Sequence, residues 1–289
     1  MLSRIDRIQL AVADRHAAAL AFTRLLDAAV AGEDAVAPLA ARRTTLAVGR
    51  AAIELLEPDG AGAVAEHLAS AGPGLFAAGV ASPDLEALRR RFIDRRVDFA
   101  ETADQILLAP AASGGTGLRC VVSAARDLPA APGLVSHLYE VTNLVVDWEA
   151  AARDYAELFA LDPTGFCPIT SEEYGYRGTL TMFAPHERLD RIEVITPFAL
   201  EKTMGRYMTK RGPCLYMCFA EAPDLAIVRA RLEEHAPHDW TGPAAVPAPD
   251  TLFIHPRALG GLLMGVSRTS VGWTWSGHPE RVVPNPATR

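Results

Sequence analysis

The sequence predicts an α+β protein of two tandem domains, on three observations. A strand–helix–strand–strand pattern recurs four times along the 289 residues. An aspartate stands where each repeat's helix begins. Hydrophobic residues make up 49% of the chain, enough to bury the cores two domains need.

The first repeat opens with the strand-like run Ile8–Val12 and reaches Asp14, the expected helix cap. From Arg15 to Asp27, Ala18, Leu20, Phe22, Leu25 and Leu26 are spaced as the apolar stripe of a helix. Thr44–Val48 and Ala52–Leu56 are β-rich and split by Gly49-Arg50, which reads as a hairpin turn. The second repeat has a strand at Phe76–Ala81 and a helix from Pro83-Asp84-Leu85 to about Arg96, and closes near Gly117–Ser123. The third has a strand at Glu140–Val146, Asp147 as cap and a helix over Glu149–Leu161. The strands Gly178–Phe183 and Arg191–Thr196 complete it. The fourth runs from Gly212 through Phe219, starts its helix at Pro223-Asp224-Leu225, and ends with Leu252–His255 and Gly261–Ser267.

Repeats two and four align without gaps at their openings, GPGLFAAGVASPDL against GPCLYMCFAEAPDL. Repeats one and three align at their ends, Ile53–Pro58 against Ile192–Pro197. Paired repeats place domains at 1–128 and 133–268, joined by the proline-rich segment 127–133. A tail at 269–289, with Trp273 and Trp275, is expected to pack on a domain surface or on a partner subunit. The tail makes a homodimer the oligomeric state to test.

Twenty-two per cent of residues are charged and the net charge is −7, so no nucleic-acid or anionic-membrane surface is expected. The partner expected instead is a small-molecule substrate. Cys120, Cys167, Cys214 and Cys218 form no zinc-like cluster and read as small thiols in a reducing compartment. The first residues carry early charges and no long apolar run, and no stretch approaches the ~20 apolar residues of a membrane span. A cytoplasmic protein is expected. Gly-rich phosphate loops and GxSxG elbows are absent from the sequence, which disfavours nucleotide chemistry and serine hydrolysis.

The four βαβββ repeats resemble the vicinal oxygen chelate (glyoxalase, bleomycin-resistance and extradiol dioxygenase) superfamily. The most telling segments, Gly205–Phe219 and Phe253–Ser267, are similar to methylmalonyl-CoA epimerase-like proteins. The resemblance implies two tandem glyoxalase-like domains, each pair of repeats curling a mixed sheet into a cup. Family metal ligands project into the cup from four strands: a histidine seven residues before a helix cap, a Glu or Gln on the fourth strand, a second such histidine, and a last glutamate.

In the first domain those places hold Arg7, Glu54, Ala77 and Val121, so an Arg7–Glu54 ion pair is expected where relatives hold a metal. In the second they hold Glu140, Glu193, Met217 and Gly265. His137 is three residues before Glu140, an odd offset that points to the opposite face. Two facing carboxylates cannot both stay ionised without help. They share a proton, or a cation such as Arg191 neutralises them, or a weakly held divalent ion binds. The cofactor expectation is therefore none, or such an ion on Glu140 and Glu193.

Glu140 and Glu193 are the expected catalytic pair. Leu215, Met217, Phe219, Leu263 and Gly265 suggest a roomy apolar cup. Tyr174, Tyr176 and Arg177, in Ser171–Gly178 between a helix and a cup strand, suggest a substrate lip. His255 is added to the substrate-binding set from its place at a family-typical strand end. The expectation is an isomerase or lyase working by proton transfer on a small carbonyl or aromatic compound. The alternatives are an extradiol-type ring-cleaving dioxygenase and a non-catalytic small-molecule binding protein.

Overall fold

The computed structural model describes residues 1–127, 130–186, 188–243 and 249–285. Leu128 and Pro129 of the expected linker lie outside them. The first repeat is β1 (Arg4–Ala11), α1 (Arg15–Leu26), β2 (Ala29–Val36), β3 (Ala41–Val48) and β4 (Ala51–Pro58). Helix α2 (Ala63–Ala71) leads to β5 (Gly74–Ser82), α3 (Leu85–Asp94), β6 (Ala100–Glu101), β7 (Gln105–Leu108) and β8 (Cys120–Ala124). The third repeat is β9 (His137–Leu144), α4 (Trp148–Phe159), β10 (Cys167–Ser171), β11 (Tyr176–Met182) and β12 (Arg191–Pro197). Helix α5 (Thr203–Arg211) then leads to β13 (Cys214–Ala222), α6 (Leu225–His235), β14 (Trp240–Thr241), β15 (Thr251–Ile254) and β16 (Met264–Arg268).

Two eight-stranded mixed sheets result, ordered β2-β3-β4-β1-β5-β8-β7-β6 and β10-β11-β12-β9-β13-β16-β15-β14. In each repeat the first strand pairs in parallel with the last. A parallel return needs a crossover, and the repeat's helix supplies it. The predicted turn at Gly49-Arg50 joins β3 to β4 antiparallel, with Gly49 left-handed at φ 54°. By Cα proximity the described chain falls into two compact units. The first holds Met1–Ile5, Ala77–Arg126 and Glu140–Tyr216; the second holds Asp6–Phe76, Asp127–Tyr139 and Met217–Arg289.

All four aspartates cap their helices. Asp14 accepts from the N–H groups of His16 and Ala17, and Asp84 from Ala87. Asp147 accepts from Glu149 and Ala150, and Asp224 from Ala226 and Ile227. Each satisfies amide donors that a helix start leaves open, worth about 1 kcal/mol.

The strands that periodicity misses are those with little to bury. In β2 (AVAGEDAV) every residue but Val36 is exposed, so no apolar alternation marks it. Strand β10 lies at the other sheet's edge and contains Pro168, which only an edge tolerates. The segment 171–178 consequently joins two strands, not a helix and a strand: it is the β10–β11 hairpin, with Gly175 left-handed at its tip (φ 72°). The tail packs on its own unit. Trp273 is buried with the Arg281 guanidinium over its ring, and Trp275 lies 6.1 Å from the Phe219 ring.

Candidate active site

Register alone assembles the site in the first unit. Parallel pairing of β9 and β12 sets Glu140 beside Arg191 and Thr142 beside Glu193. Antiparallel pairing with β11 adds Met182 next to Arg191 and Leu180 next to Glu193, and β10 adds Cys167 next to Leu180. Residues paired in this way share one face of the sheet. Helix α4 covers the other face, where the Tyr155 hydroxyl donates to Asn143 Oδ1 at 2.8 Å. The two glutamates therefore meet on the face opposite α4.

Arg191 is completely buried, and its Nε and Nη2 both lie 2.7 Å from Glu140 Oε2. Its Nη1 donates to the Leu189 carbonyl at 2.8 Å. A guanidinium does not lose its proton, so a buried one demands an ionised partner. Glu140, 1% exposed, is that partner. One cation then serves two carboxyl groups.

The second carboxyl keeps its proton. Burial and the neighbouring Glu140 charge push the pKa of Glu193 up to about 8. Burial raises Glu140 as well, and Arg191 pulls it back down. The Thr142 hydroxyl donates to Glu193 Oε2 at 2.5 Å. Glu193, at 8%, is the most exposed of the four residues; Thr142 and Arg191 are sealed.

The remaining site residues named from sequence are spread more widely. Tyr176 is half-buried on the same sheet face as Glu193, whereas Arg177 alternates to the other face and is exposed. Tyr174 stands exposed at the hairpin tip, and Leu215 is buried in β13. In the second unit, Gly265 pairs with Phe219 across β16 and β13, and the Phe219 ring fills the space a Cβ on Gly265 would occupy. Phe219 also packs on Tyr139 and Phe253. Met217 is buried, and Leu263 accepts the Cys218 N–H. His255 follows β15, its ring 3.4 Å from the Thr241 hydroxyl.

Sequence reasoning missed Thr142 and Asp190. The signal for Thr142 was available: in parallel register, the residue two beyond Glu140 falls beside Glu193. Asp190 carried none. It is buried, accepts the Ile5 N–H at 2.8 Å and Arg188 Nε at 3.1 Å, and burial raises its pKa to about 6.

The expected ion pair in the second unit is present. Arg7 Nη1 lies 3.0 Å from Glu54 Oε1, Arg43 Nη1 is 3.2 Å from the same oxygen, and Gln9 donates to Oε2 at 2.7 Å.

No protein-family model and no curated protein matches the chain. Among solved structures, a triple mutant of 4-hydroxymandelate synthase from Streptomyces coelicolor aligns with a TM-score of 0.65. Its sequence is 15% identical, and the match covers 93% of this chain and 93% of that one. The chain has the vicinal oxygen chelate fold. A variant of the Streptomyces coelicolor methylmalonyl-CoA epimerase also aligns, at 22% identity and TM-score 0.38, over 43% of this chain and all of the other. The Mycobacterium tuberculosis epimerase aligns at 21% identity and TM-score 0.38, over 48% of this chain and 91% of the other.

The name of the fold raises the question of a divalent ion at Glu140 and Glu193, and the residues present do not fit one. Glu140 Oε2 is taken by two guanidinium nitrogens and Glu193 Oε2 by Thr142. An ion there would sit against the buried charge of Arg191. Among the described residues no group of three or more His, Cys, Asp or Glu is placed to hold a metal ion. Nor is any described helix long and apolar enough to cross a membrane.

Proposed function

We propose that this protein is an isomerase or lyase that moves a proton on a small carbonyl or aromatic compound. The observation that carries this reading is the buried cluster of Glu193, Thr142, Glu140 and Arg191, in which two acids have one cation to balance them. Glu140 stays ionised against Arg191, and Glu193, the less buried of the two acids, becomes the carboxylate base when its own proton leaves. Glu193 then takes a proton from carbon beside the substrate's carbonyl and returns it to another position. The proton count closes within the enzyme–substrate pair. A carboxyl tuned to about 8 is well placed for both halves of the cycle near neutral pH. Removing the Glu193 group is expected to cost at least 100-fold in rate.

The ring-cleaving dioxygenase reading needs an iron-binding donor set that Met217 and Gly265 do not complete. A purely binding role gives no reason for two buried acids served by one cation. The test is proton exchange. Small α-keto acids, aryl α-hydroxy acids and thioesters are incubated with enzyme in D2O, and loss of the α C–H signal is followed by NMR. At least one class is expected to exchange with wild type and to stop exchanging with Glu193→Gln. Exchange that proceeds unchanged in both Glu193→Gln and Glu140→Gln removes the proposal.

A further inference from the structure

We infer that the groove between α4 and the edge strand β10 is a second binding site, for a flat aromatic compound carrying one carboxylate. The groove is separate from the acid pair. Thr179, which lines it, alternates with Leu180 along β11 and so faces α4, away from Glu193.

The first repeat has the same place bridged. Arg15 follows the cap Asp14; its Nη1 lies 2.8 Å from Glu33 Oε1 of β2 and donates to the Thr44 hydroxyl of β3 at 2.7 Å. That ties the helix to both strands. Glu33 pairs with Thr44, and Thr44 with Leu55. In the third repeat Pro168 pairs with Thr179, and Thr179 with Val194, which aligns with Leu55. The residue after the cap Asp147 is Trp148. Trp148 and Pro168 thus stand where the first repeat has its ion pair, and neither side chain can form one. A groove of about 770 Å³ is left open there. Sites for small ligands run from about 300 to 1,000 Å³.

The lining selects the ligand. Trp148 and Phe166 are half-buried, and neither ring meets another aromatic ring among the described residues, so their stacking surface is free for a ligand. At the mouth, Arg153 is exposed and has no hydrogen bond or ion pair among the described residues. A guanidinium in that state suits a carboxylate. The other charged groups are committed: Arg91 donates to the carbonyls of Glu157 and Leu158, and Glu157 pairs with Arg95. Glu149 stands at the same mouth and repels a second negative charge on the ligand.

The probe is 2-naphthoate, followed by equilibrium dialysis, with 2-naphthalenemethanol as its uncharged counterpart. Every variant is checked for an unchanged thermal midpoint. Wild type is expected to bind the acid about 2- to 5-fold more tightly than the alcohol, the share of one exposed ion pair. Arg153→Gln is expected to lose that preference and still bind the alcohol. The double variant Trp148→Arg, Pro168→Glu rebuilds the bridge of the first repeat and is expected to bind both compounds at least about 10-fold more weakly. Ala156→Phe, which fills the groove from the helix side, is expected to do the same. Glu193→Gln, on the opposite face, is expected to match wild type whether or not Glu193 is the catalytic base. The inference is overturned by no binding to wild type up to about 1 mM, by equal binding to the double variant, by a preference for the acid that survives Arg153→Gln, or by lost affinity in Glu193→Gln. A wild-type dimer in sedimentation velocity that Ala156→Phe splits gives the groove to a second copy of the chain, and overturns it too.

Discussion

Glu54 and Glu193 hold equivalent places in the first and third repeats, each on the strand that returns parallel to its repeat's first strand. Their surroundings differ in the ratio of cations to acids. Glu54 meets two guanidinium groups, Arg7 and Arg43, with Gln9 donating to its other oxygen. Glu193 meets a threonine and another glutamate, and the one nearby guanidinium is committed to Glu140. Arg7 and Arg43 keep 15% and 10% of their side chains exposed, whereas Arg191 keeps none. The same acid at the same place in the sheet is thus a neutralised strut in one unit and a proton store in the other. Counter-charge and dryness, not position in the fold, decide which.

The largest expected effect comes from removing the lone cation. Arg191→Met strands Glu140 in a dry site and is expected to lose about 3–5 kcal/mol in denaturant unfolding. Glu54→Gln, whose two arginines can turn to water, is expected to lose about 1–3 kcal/mol. Equal losses break the comparison.

The next effect is a pH slope. The folded-state pKa of Glu193, about 8, lies above its ordinary 4.5, so the folded protein binds the extra proton. The contribution of Glu193 to stability is then full below about 4.5, falls as pH rises towards 8, and is flat beyond. Asp190, raised to about 6, adds to the lower part of the same slope. Glu193→Gln is expected to be about 1–3 kcal/mol more stable than wild type at pH 9 and to show a shallower decline between pH 5 and 9. A thermal melt series across pH checks this; a slope unchanged in the variant contradicts it. Two smaller effects sharpen the picture. Gly265→Ala must displace the Phe219 ring and is expected to lose about 1–3 kcal/mol without altering the pH slope. Asp147→Ala and Asp14→Ala each remove a cap, and both are expected to lose about 1 kcal/mol, since capping is alike in the two repeats.

Much of the scaffold was legible because it depends on local rules. Each cap aspartate marks a helix start, and β-rich runs such as Ala52–Leu56 announce strands that bury one or both faces. Strands β2 and β10 were invisible because exposed edges carry no periodic apolar signal. The resemblance to the vicinal oxygen chelate superfamily put Glu140 and Glu193 at two family ligand positions, and the Arg7–Glu54 pair was read from it in the same way. Which of three remedies would relieve the two glutamates was not readable. That depends on Arg191 being long enough to reach sideways to Glu140 and on Thr142 standing between the acids, facts of side-chain direction that spacing does not carry. Asp190 was out of reach altogether, since its partner Ile5 is 185 residues away.

The central claim, a proton held on the buried Glu140–Glu193 pair, has a direct measurement: the infrared carbonyl stretch of a protonated carboxyl group, recorded in D2O against pH. The account predicts a buried protonated-carboxyl band at neutral pH that fades as pH rises through about 8, is missing in Glu193→Gln and persists in Glu54→Gln. Absence of the band in wild type at pH 7, or its survival in Glu193→Gln, contradicts the account.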